Sequence, residues 1–271
     1  MSITMTGFFF RIAPIALLLV VSAGAQAGLQ EGLDAYLDGK YGAAIKEFLP
    51  LAARGNASAQ FNLGVMYREG RGVRQDIVKA VSWYRKAAEQ GHAEAQYHLA
   101  VMYVKGQGVP QDGKQAEAWF SKAAEQGHVI AQFNLGQIYR TGQGVAPDYT
   151  MAAEWYRKAA DQGYALAQLN LGLMHRYGFG LQQDYETAQP LLRKAADQGQ
   201  ARAQLNLGEM YFNGEGVQAD MVMAHKWFKL AAAYGEAGAG EKLRELEEKM
   251  TAAQISESEK LVQDWLAKRE Q

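Results

Sequence analysis

Hydrophobic residues between Ala59 and Gly91 fall into two stretches, and each stretch has the period of an α-helix. The first stretch has apolar residues at positions i, i+4, i+7 and i+8, namely Ala59, Leu63, Met66 and Tyr67. The second stretch has a similar apolar side, formed by Ala80, Trp83, Tyr84, Ala87 and Ala88. The pattern therefore predicts two amphipathic helices joined by a short loop, an αα-hairpin.

The hairpin pattern recurs every 36 residues without insertion or deletion. A Gln-Gly or equivalent junction marks each step, and its glycines are Gly55, Gly91, Gly127, Gly163, Gly199 and Gly235. A period of this length is typical of a solenoid in which one supersecondary unit is copied and stacked. We therefore expect an all-α chain of stacked hairpins, and we expect such a stack to act by binding.

Polar and small residues mark the ends and the contacts of the predicted helices. An aspartate precedes each second helix as an N-cap, in the series Asp76, Asp112, Asp148, Asp184 and Asp220. A small residue recurs inside each first helix, in the series Gly64, Ala100, Gly136, Gly172 and Gly208. We expect close helix–helix approach at these small residues, with Trp83, Trp119, Trp155 and Trp227 as the large partners. Pro190 should kink its helix or delay its start, with Tyr177 and Phe179 filling space left by a missing indole.

The first 27 residues have the pattern of a cleavable secretory signal peptide. Arg11 precedes a short apolar run from Ile12 to Val21, and Ala25-Gln26-Ala27 forms an A-x-A cleavage site. Cleavage is expected after Ala27. An uncleaved membrane anchor is the alternative, but the run beyond Arg11 is short for a span of about 20 residues.

Composition excludes several other classes of protein. The 271 residues are 48% hydrophobic and 21% charged, with a net charge of −1 and no cysteine. This balance gives no indication of nucleic-acid binding, and the absence of cysteine excludes a disulfide framework. We expect a periplasmic or secreted protein that does not insert into the membrane after signal cleavage.

Three recurring motifs resemble chemical sites but are better explained by the repeat. Gly70-x-Gly72 and its copies follow a predicted helix, so they indicate interhelical turns rather than a dinucleotide fingerprint. The aspartate series lacks the neighbouring ligands of a calcium loop. The five histidines are not spaced as metal ligands or catalytic groups. We therefore expect no cofactor, no metal and no catalytic residue.

The repeated unit has the pattern Ala-x-x-Leu-Gly-x-Met-Tyr, Gly-x-Gly-Val, Asp, Ala-x-x-Trp-Tyr-x-Lys-Ala-Ala-x-Gln-Gly. This pattern resembles the Sel-1-like repeat (SLR), a tetratricopeptide-like unit. The resemblance implies a right-handed α/α superhelical solenoid of about seven antiparallel helix pairs. It divides the chain into a signal peptide (1–27), an N-terminal capping helix pair (28–56), five repeats (57–236) and C-terminal capping helices (237–271).

By the same resemblance, the first helix of each pair lines a concave groove that binds a partner peptide. Three series of residues on these helices are candidates for that groove. They are the aromatic or apolar series Phe61, Tyr97, Phe133, Leu169 and Leu205, the arginines Arg68, Arg140 and Arg176, and the polar series Asn62, His98, Asn134, Asn170 and Asn206. The aromatic series is equally compatible with packing between neighbouring repeats. The lysines Lys86, Lys122, Lys158 and Lys194 indicate a solvated convex face.

The favoured function is a non-catalytic scaffold or adaptor, exported to the bacterial periplasm or secreted, that binds a protein or peptide partner. Regulation or assembly of envelope proteins would be one use of it. The alternative is a β-lactam-binding or β-lactamase-like enzyme, since some secreted relatives of this design have been described so. Those relatives are rich in cysteine, and this chain has neither cysteine nor a Ser-x-x-Lys signature. An endoplasmic-reticulum adaptor is a third possibility, and the partner and oligomeric state are left open.

Overall fold

The computed structural model describes residues 26–269, which form fourteen α-helices and no strand. The helices are α1 (Gln26–Leu37), α2 (Tyr41–Ala53), α3 (Ala57–Glu69), α4 (Ile77–Glu89), α5 (Ala93–Lys105), α6 (Gly113–Glu125), α7 (Val129–Thr141), α8 (Tyr149–Asp161), α9 (Ala165–Tyr177), α10 (Tyr185–Asp197), α11 (Ala201–Asn213), α12 (Met221–Ala233), α13 (Ala239–Glu247) and α14 (Ala252–Ala267). The all-α fold predicted from the hydrophobic period is confirmed.

Consecutive helices pack as pairs from α1/α2 to α11/α12, and the second helix of each pair packs against the first helix of the next. Buried apolar side chains therefore form a row of clusters along the stack. The C-terminal end differs, because α13 and α14 both pack against α12. These two helices cover the last repeat and close the row.

The predicted helix caps are confirmed. Asp76 Oδ1 accepts a hydrogen bond of 2.9 Å from the backbone N–H of Lys79, and Asp112, Asp148, Asp184 and Asp220 cap their helices in the same way. Asn56 caps α3, and Thr251 forms a capping box with Gln254 at the start of α14. Each cap satisfies a backbone donor that has no partner inside its helix.

The glycine turns also follow the prediction. Gly70 ends α3 in the left-handed conformation with φ of 71°, and Gly72 has the same φ two residues later. Positive φ is cheap only for glycine, so the Gly-x-Gly pairs set the direction of the chain between paired helices. They do not face a strand or form a phosphate loop.

The small residues inside the first helices bring paired helices into close contact, but their large partners are not the tryptophans. A Cβ atom at Gly64 would lie 2.6 Å from the Tyr84 ring, and one at Gly208 would lie 2.6 Å from the Phe228 ring. The partner is thus the residue after each tryptophan position. The tryptophans instead lie beside lysines, with Lys158 Nζ 3.8 Å from the Trp155 ring centroid. These lysines cover the indoles and form cation–π contacts.

Of the two effects predicted for Pro190, the delayed start of its helix is wrong, whereas a kink stays a prediction. α10 begins at Tyr185 after the Asp184 cap, as in the other repeats, and contains Pro190 within its span. Leu192 lies against Gly172, in the place that an aromatic ring takes in other pairs. Tyr177 and Phe179 do not fill the space of the missing indole, because they are 48% and 54% exposed.

The expected signal segment, residues 1–27, lies almost entirely outside the described residues. Its last two residues, Gln26 and Ala27, form the start of α1. Within residues 26–269, no helix combines the length and the apolar character needed to cross a bilayer.

Replacing Gly64 with alanine should lower the free energy of unfolding by about 1–3 kcal/mol, because the added methyl group would overpack the Tyr84 ring. Urea denaturation of the two proteins measures the difference. Gly42→Ala is the matched control, since a Cβ at Gly42 in α2 meets no atom within 4 Å. That control should be neutral or stabilising. Equal urea midpoints for Gly64→Ala and wild type would contradict the packing argument.

Candidate functional site

The five first helices of the central hairpins are α3, α5, α7, α9 and α11, and neighbouring helices enclose most of their residues. One side of each helix is accessible at both of its ends and, in the middle of the stack, at further positions between them. In α3 this side consists of Ser58, Asn62, Val65 and Glu69, spaced i, i+4, i+7 and i+11. We call these positions and their equivalents the first-helix face. Its middle section presents Ile130, Gln137, Leu166 and Asn170, which are all partly exposed.

The predicted aromatic series lies between repeats. Phe61 is 3% exposed and stacks on the His92 ring at a centroid distance of 4.9 Å. Tyr97 stacks on His128 at 4.8 Å, and Phe133 packs edge-on against Tyr164 at 5.2 Å. Leu169 is buried as well, and Leu205 is partly buried. Of the two roles considered for this series, the structure places it in packing between repeats.

The asparagine ladder uses its amide groups within the helices. The side-chain amides of Asn62, Asn134, Asn170 and Asn206 each donate to the backbone carbonyl four residues earlier, over 2.7–2.9 Å. Three of the four are buried, whereas Asn170 is partly exposed. Within residues 26–269, no donor reaches Asn170 Oδ1. This oxygen is therefore available as an acceptor for a ligand N–H.

The three predicted arginines have different surroundings. Arg68 pairs with Glu69 at 2.8 Å and contacts His98 Nδ1 at 3.2 Å. Arg176 is 3% exposed and pairs with Glu209 and Glu215, both at 2.8 Å. Desolvation of Arg176 opposes its charge, but these two hydrogen-bonded carboxylates outweigh it and raise its pKa.

Arg140 differs from the other two arginines because no carboxylate in the described part of the chain forms an ion pair with it. Its Nε donates 2.9 Å to Gln137 Oε1, and the Tyr156 hydroxyl donates to the same oxygen. Arg140 is partly exposed. Its position is thus fixed by neutral groups, while its positive charge has no carboxylate partner within residues 26–269.

His98 takes the ladder position that asparagine occupies in the other repeats. The ring is 5% exposed and stacks on Tyr84 at 5.3 Å. Burial and the nearby Arg68 charge lower the pKa of His98 to about 3. The imidazole is therefore neutral at pH 7, and its Nδ1 can accept from Arg68.

A cleft of about 770 Å³ lies where α3, α5 and α7 begin, and it was not anticipated from sequence. Its polar groups include His92, Glu94 and His128, with His128 Nε2 3.1 Å from Glu94 Oε1. Burial alone would raise the pKa of Glu94, but the hydrogen bond and charge of His128 outweigh it and lower the pKa. Both histidines cap helices through Nδ1. No group of three metal-ligating side chains occurs in residues 26–269.

A ladder of glutamine pairs joins the repeats and was also missed. Gln60 Nε2 donates to the Ala52 carbonyl of the preceding hairpin, and Gln60 Oε1 accepts from Gln90 Nε2 at 2.7 Å. The same pairs are Gln96/Gln126, Gln132/Gln162 and Gln168/Gln198. The fixed offset of 30 residues between two glutamine series was the signal in the sequence that could have revealed them.

One constellation near the C-terminus resembles a hydrolase triad. His225 Nδ1 lies 2.8 Å from Ser258 Oγ, and His225 Nε2 lies 3.1 Å from Glu247 Oε1. Both Ser258 and His225 are fully buried. A nucleophile must reach its substrate, so this geometry fits a buried polar link from α12 to α13 and α14.

Comparison with known proteins identifies the repeat. The family model described as the Sel1 repeat matches residues 57–92, 93–128, 129–164, 165–200 and 201–235. The chain belongs to the Sel1 repeat family. No curated protein matches it.

Two solved structures support the same assignment. A Sel1 repeat protein from Oxalobacter formigenes is 31% identical, with a TM-score of 0.72 over 89% of this chain and 95% of that chain. The protective antigen c5321 of uropathogenic Escherichia coli strains, which displays an SLR fold, is 30% identical. Its TM-score is 0.50 over 90% of this chain and 68% of that chain. Sel1 repeat proteins are generally non-catalytic scaffolds that bind protein partners, and the solenoid described above fits this role.

The buried histidine makes a testable contribution to acid stability. The lowered pKa means that His98 is neutral when folded but protonated below pH 6.5 when unfolded, so stability falls as the pH drops from 6.5 towards 3. Between pH 7 and pH 5, wild type should lose about 2 kcal/mol more than His98→Asn, which carries the residue of the other repeats. Urea midpoints at both pH values measure this. Parallel losses in the two proteins would contradict a neutral buried His98.

Proposed function

We propose that this protein is a non-catalytic adaptor that binds an extended, acidic segment of a protein partner along the first-helix face. The observation that carries the proposal is the unpaired charge of Arg140. The equivalent arginines Arg68 and Arg176 are neutralised by glutamates of the chain itself. A carboxylate of the partner would complete the same arrangement at Arg140, with a geometry suited to a guanidinium fork.

The groups of the first-helix face on α7 and α9 suit a peptide in an extended conformation. Asn170 Oδ1 can accept from a peptide N–H, while Ile130 and Leu166 supply partly exposed apolar surface. Mixed amide and apolar surface lets a groove bind a backbone and select alternate side chains. The proposed site thus combines one ionic contact, at Arg140, with weaker polar and apolar contacts that depend on the conformation of the peptide.

The catalytic alternative has no comparable support. The chain lacks the cysteines of the β-lactam-binding relatives, and Ser258 and His225 of the Ser–His–Glu constellation are fully buried. Sel1 repeats are generally scaffolds. Binding therefore accounts for the observed surfaces without a reaction.

Replacing Arg140 with glutamine should reduce partner capture at least fivefold, because a desolvated charge-assisted bond contributes more than a neutral one. The measurement is quantitative crosslinked capture from an envelope extract by residues 28–271. Arg157→Gln is the matched control, since Arg157 is exposed on α8, a second helix. Arg176 is unsuitable, because it is buried and its removal would leave Glu215 without its cation and Glu209 with Lys242 alone, which would destabilise the fold.

A partner retained equally by wild type, Arg140→Gln and Arg157→Gln would contradict a site at Arg140. A partner lost with Arg157→Gln would place the site on the second helices. Equal urea midpoints of the three proteins would show that the fold is unchanged.

We place the proposed adaptor outside the cytoplasm, because residues 1–27 have the pattern of a signal peptide. The full chain expressed in a bacterium should yield a mature protein that starts at Gly28, because Ala25 and Ala27 fit the small-residue requirement of cleavage. Intact mass measurement of the periplasmic fraction checks this. Ala27→Leu should leave the precursor uncleaved. An intact chain of 271 residues in the soluble cytoplasm would contradict export.

A further inference from the structure

Three aromatic rings form an exposed patch where α8 begins and α9 ends. Tyr149, Tyr177 and Phe179 are 47%, 48% and 54% exposed. The Phe179 ring lies 5.8 Å from the Tyr177 ring and 6.5 Å from the Tyr149 ring, measured between centroids. We call these three residues the aromatic patch. Clustered exposed rings are uncommon on a monomeric surface and indicate an interaction site.

The repeat architecture does not explain the aromatic patch. In the other junctions the positions of Tyr177 and Phe179 carry only polar residues, whereas the position of Tyr149 carries a large residue in three of four. The residues at these three positions are Tyr41, Glu69 and Arg71, then Ile77, Lys105 and Gln107, then Gly113, Thr141 and Gln143, and finally Tyr185, Asn213 and Glu215. Since those junctions pack without three rings, packing of the solenoid does not require them here.

The rings of the patch are held in position before any partner binds. Gly180 adopts a φ of 69° and lies so close to Tyr149 that any side chain there would collide with it. Thr150 Oγ1 donates 3.3 Å to the Gly180 carbonyl, which fixes the loop carrying Phe179. The Tyr177 hydroxyl donates to Asn206 Oδ1, and the Arg176 guanidinium lies 5.0 Å from the Tyr177 ring centroid. Preorganised rings lose little side-chain entropy on binding.

The area of the patch favours a peptide side chain over a second copy of the chain. Three aromatic side chains of about 150–250 Å² each, half exposed, offer roughly 300 Å² together. A stable dimer buries about 800 Å² from each partner. One large apolar side chain, however, is matched in size to such a patch and would act as a local anchor.

The patch is continuous with the first-helix face, because Tyr177 belongs to both. We infer that the acidic segment bound at Arg140 leaves the face across this edge and inserts one large apolar side chain among the three rings. This inference rests on the proposed function and specifies its ligand. The bound peptide carries a carboxylate for Arg140 and, at a fixed spacing, a leucine, methionine or aromatic residue for the patch.

A phage-displayed library of random 12-residue peptides, selected on residues 28–271, tests both features separately. Wild type should enrich peptides with one acidic and one large apolar residue at constant spacing. Tyr177→Thr/Phe179→Gln borrows residues found at the equivalent positions Thr141 and Gln143. Selection on this variant should keep the acidic preference and lose the apolar one. Affinity of a wild-type-selected peptide should fall roughly tenfold.

Other outcomes separate the two claims. The double variant could keep the apolar preference while Arg140→Gln loses the acidic one. That result would overturn the inference and leave the proposed function in place. An unchanged acidic preference in Arg140→Gln overturns the proposed anchor. A triple variant combines Arg140→Gln with Tyr177→Thr/Phe179→Gln. If wild type enriches no peptide more strongly than this triple variant does, the inference and the proposed function are both overturned. Urea midpoints of all variants exclude loss of folding as the cause.

Discussion

The structure depends on the contact that joins one helix hairpin to the next, and four of these contacts contain a buried glutamine that pairs with an exposed one. One glutamine donates to a carbonyl at the end of the preceding second helix, and its own oxygen accepts from the glutamine of the next junction. Both ends of a buried amide are thereby satisfied, which only one register allows. A residue inserted into either helix between the paired glutamines would shift one of them out of register, so the pairing favours a constant 36-residue step.

The same contact shows where the array stops. Gln204 is fully buried, yet its Oε1 has no hydrogen-bond partner in the described chain, because Tyr234 stands where a glutamine would donate. Tyr234 instead packs against Trp265 of α14 at 6.2 Å. The final junction therefore exchanges a hydrogen bond for an aromatic contact with the closing helix. Terminal units of a solenoid differ in this way because no further repeat covers them.

Much of the fold follows from local chemistry, and this part was predictable. Asp76 caps a helix and Gly70 turns the chain for reasons contained within a few neighbouring residues. The surroundings of the candidate site residues were not predictable in the same way. Phe61 is buried by His92 from the next junction, and Arg176 is neutralised by Glu209 and Glu215, 33 and 39 residues further on. Helical periodicity identifies one buried side, whereas a solenoid helix also buries flanks against neighbouring repeats.

A repeat protein gains specificity where one unit departs from the others. Most polar groups of the first helices are used internally, as the asparagine amides and two of the three arginines show. The departures are concentrated in the middle of the stack, where Arg140 has no acidic partner within residues 26–269 and where Tyr177 and Phe179 replace polar residues. Because the other repeats fold without these features, the solenoid does not need them for its stability. Comparing the repeats of one chain thus separates what folding requires from what binding would use.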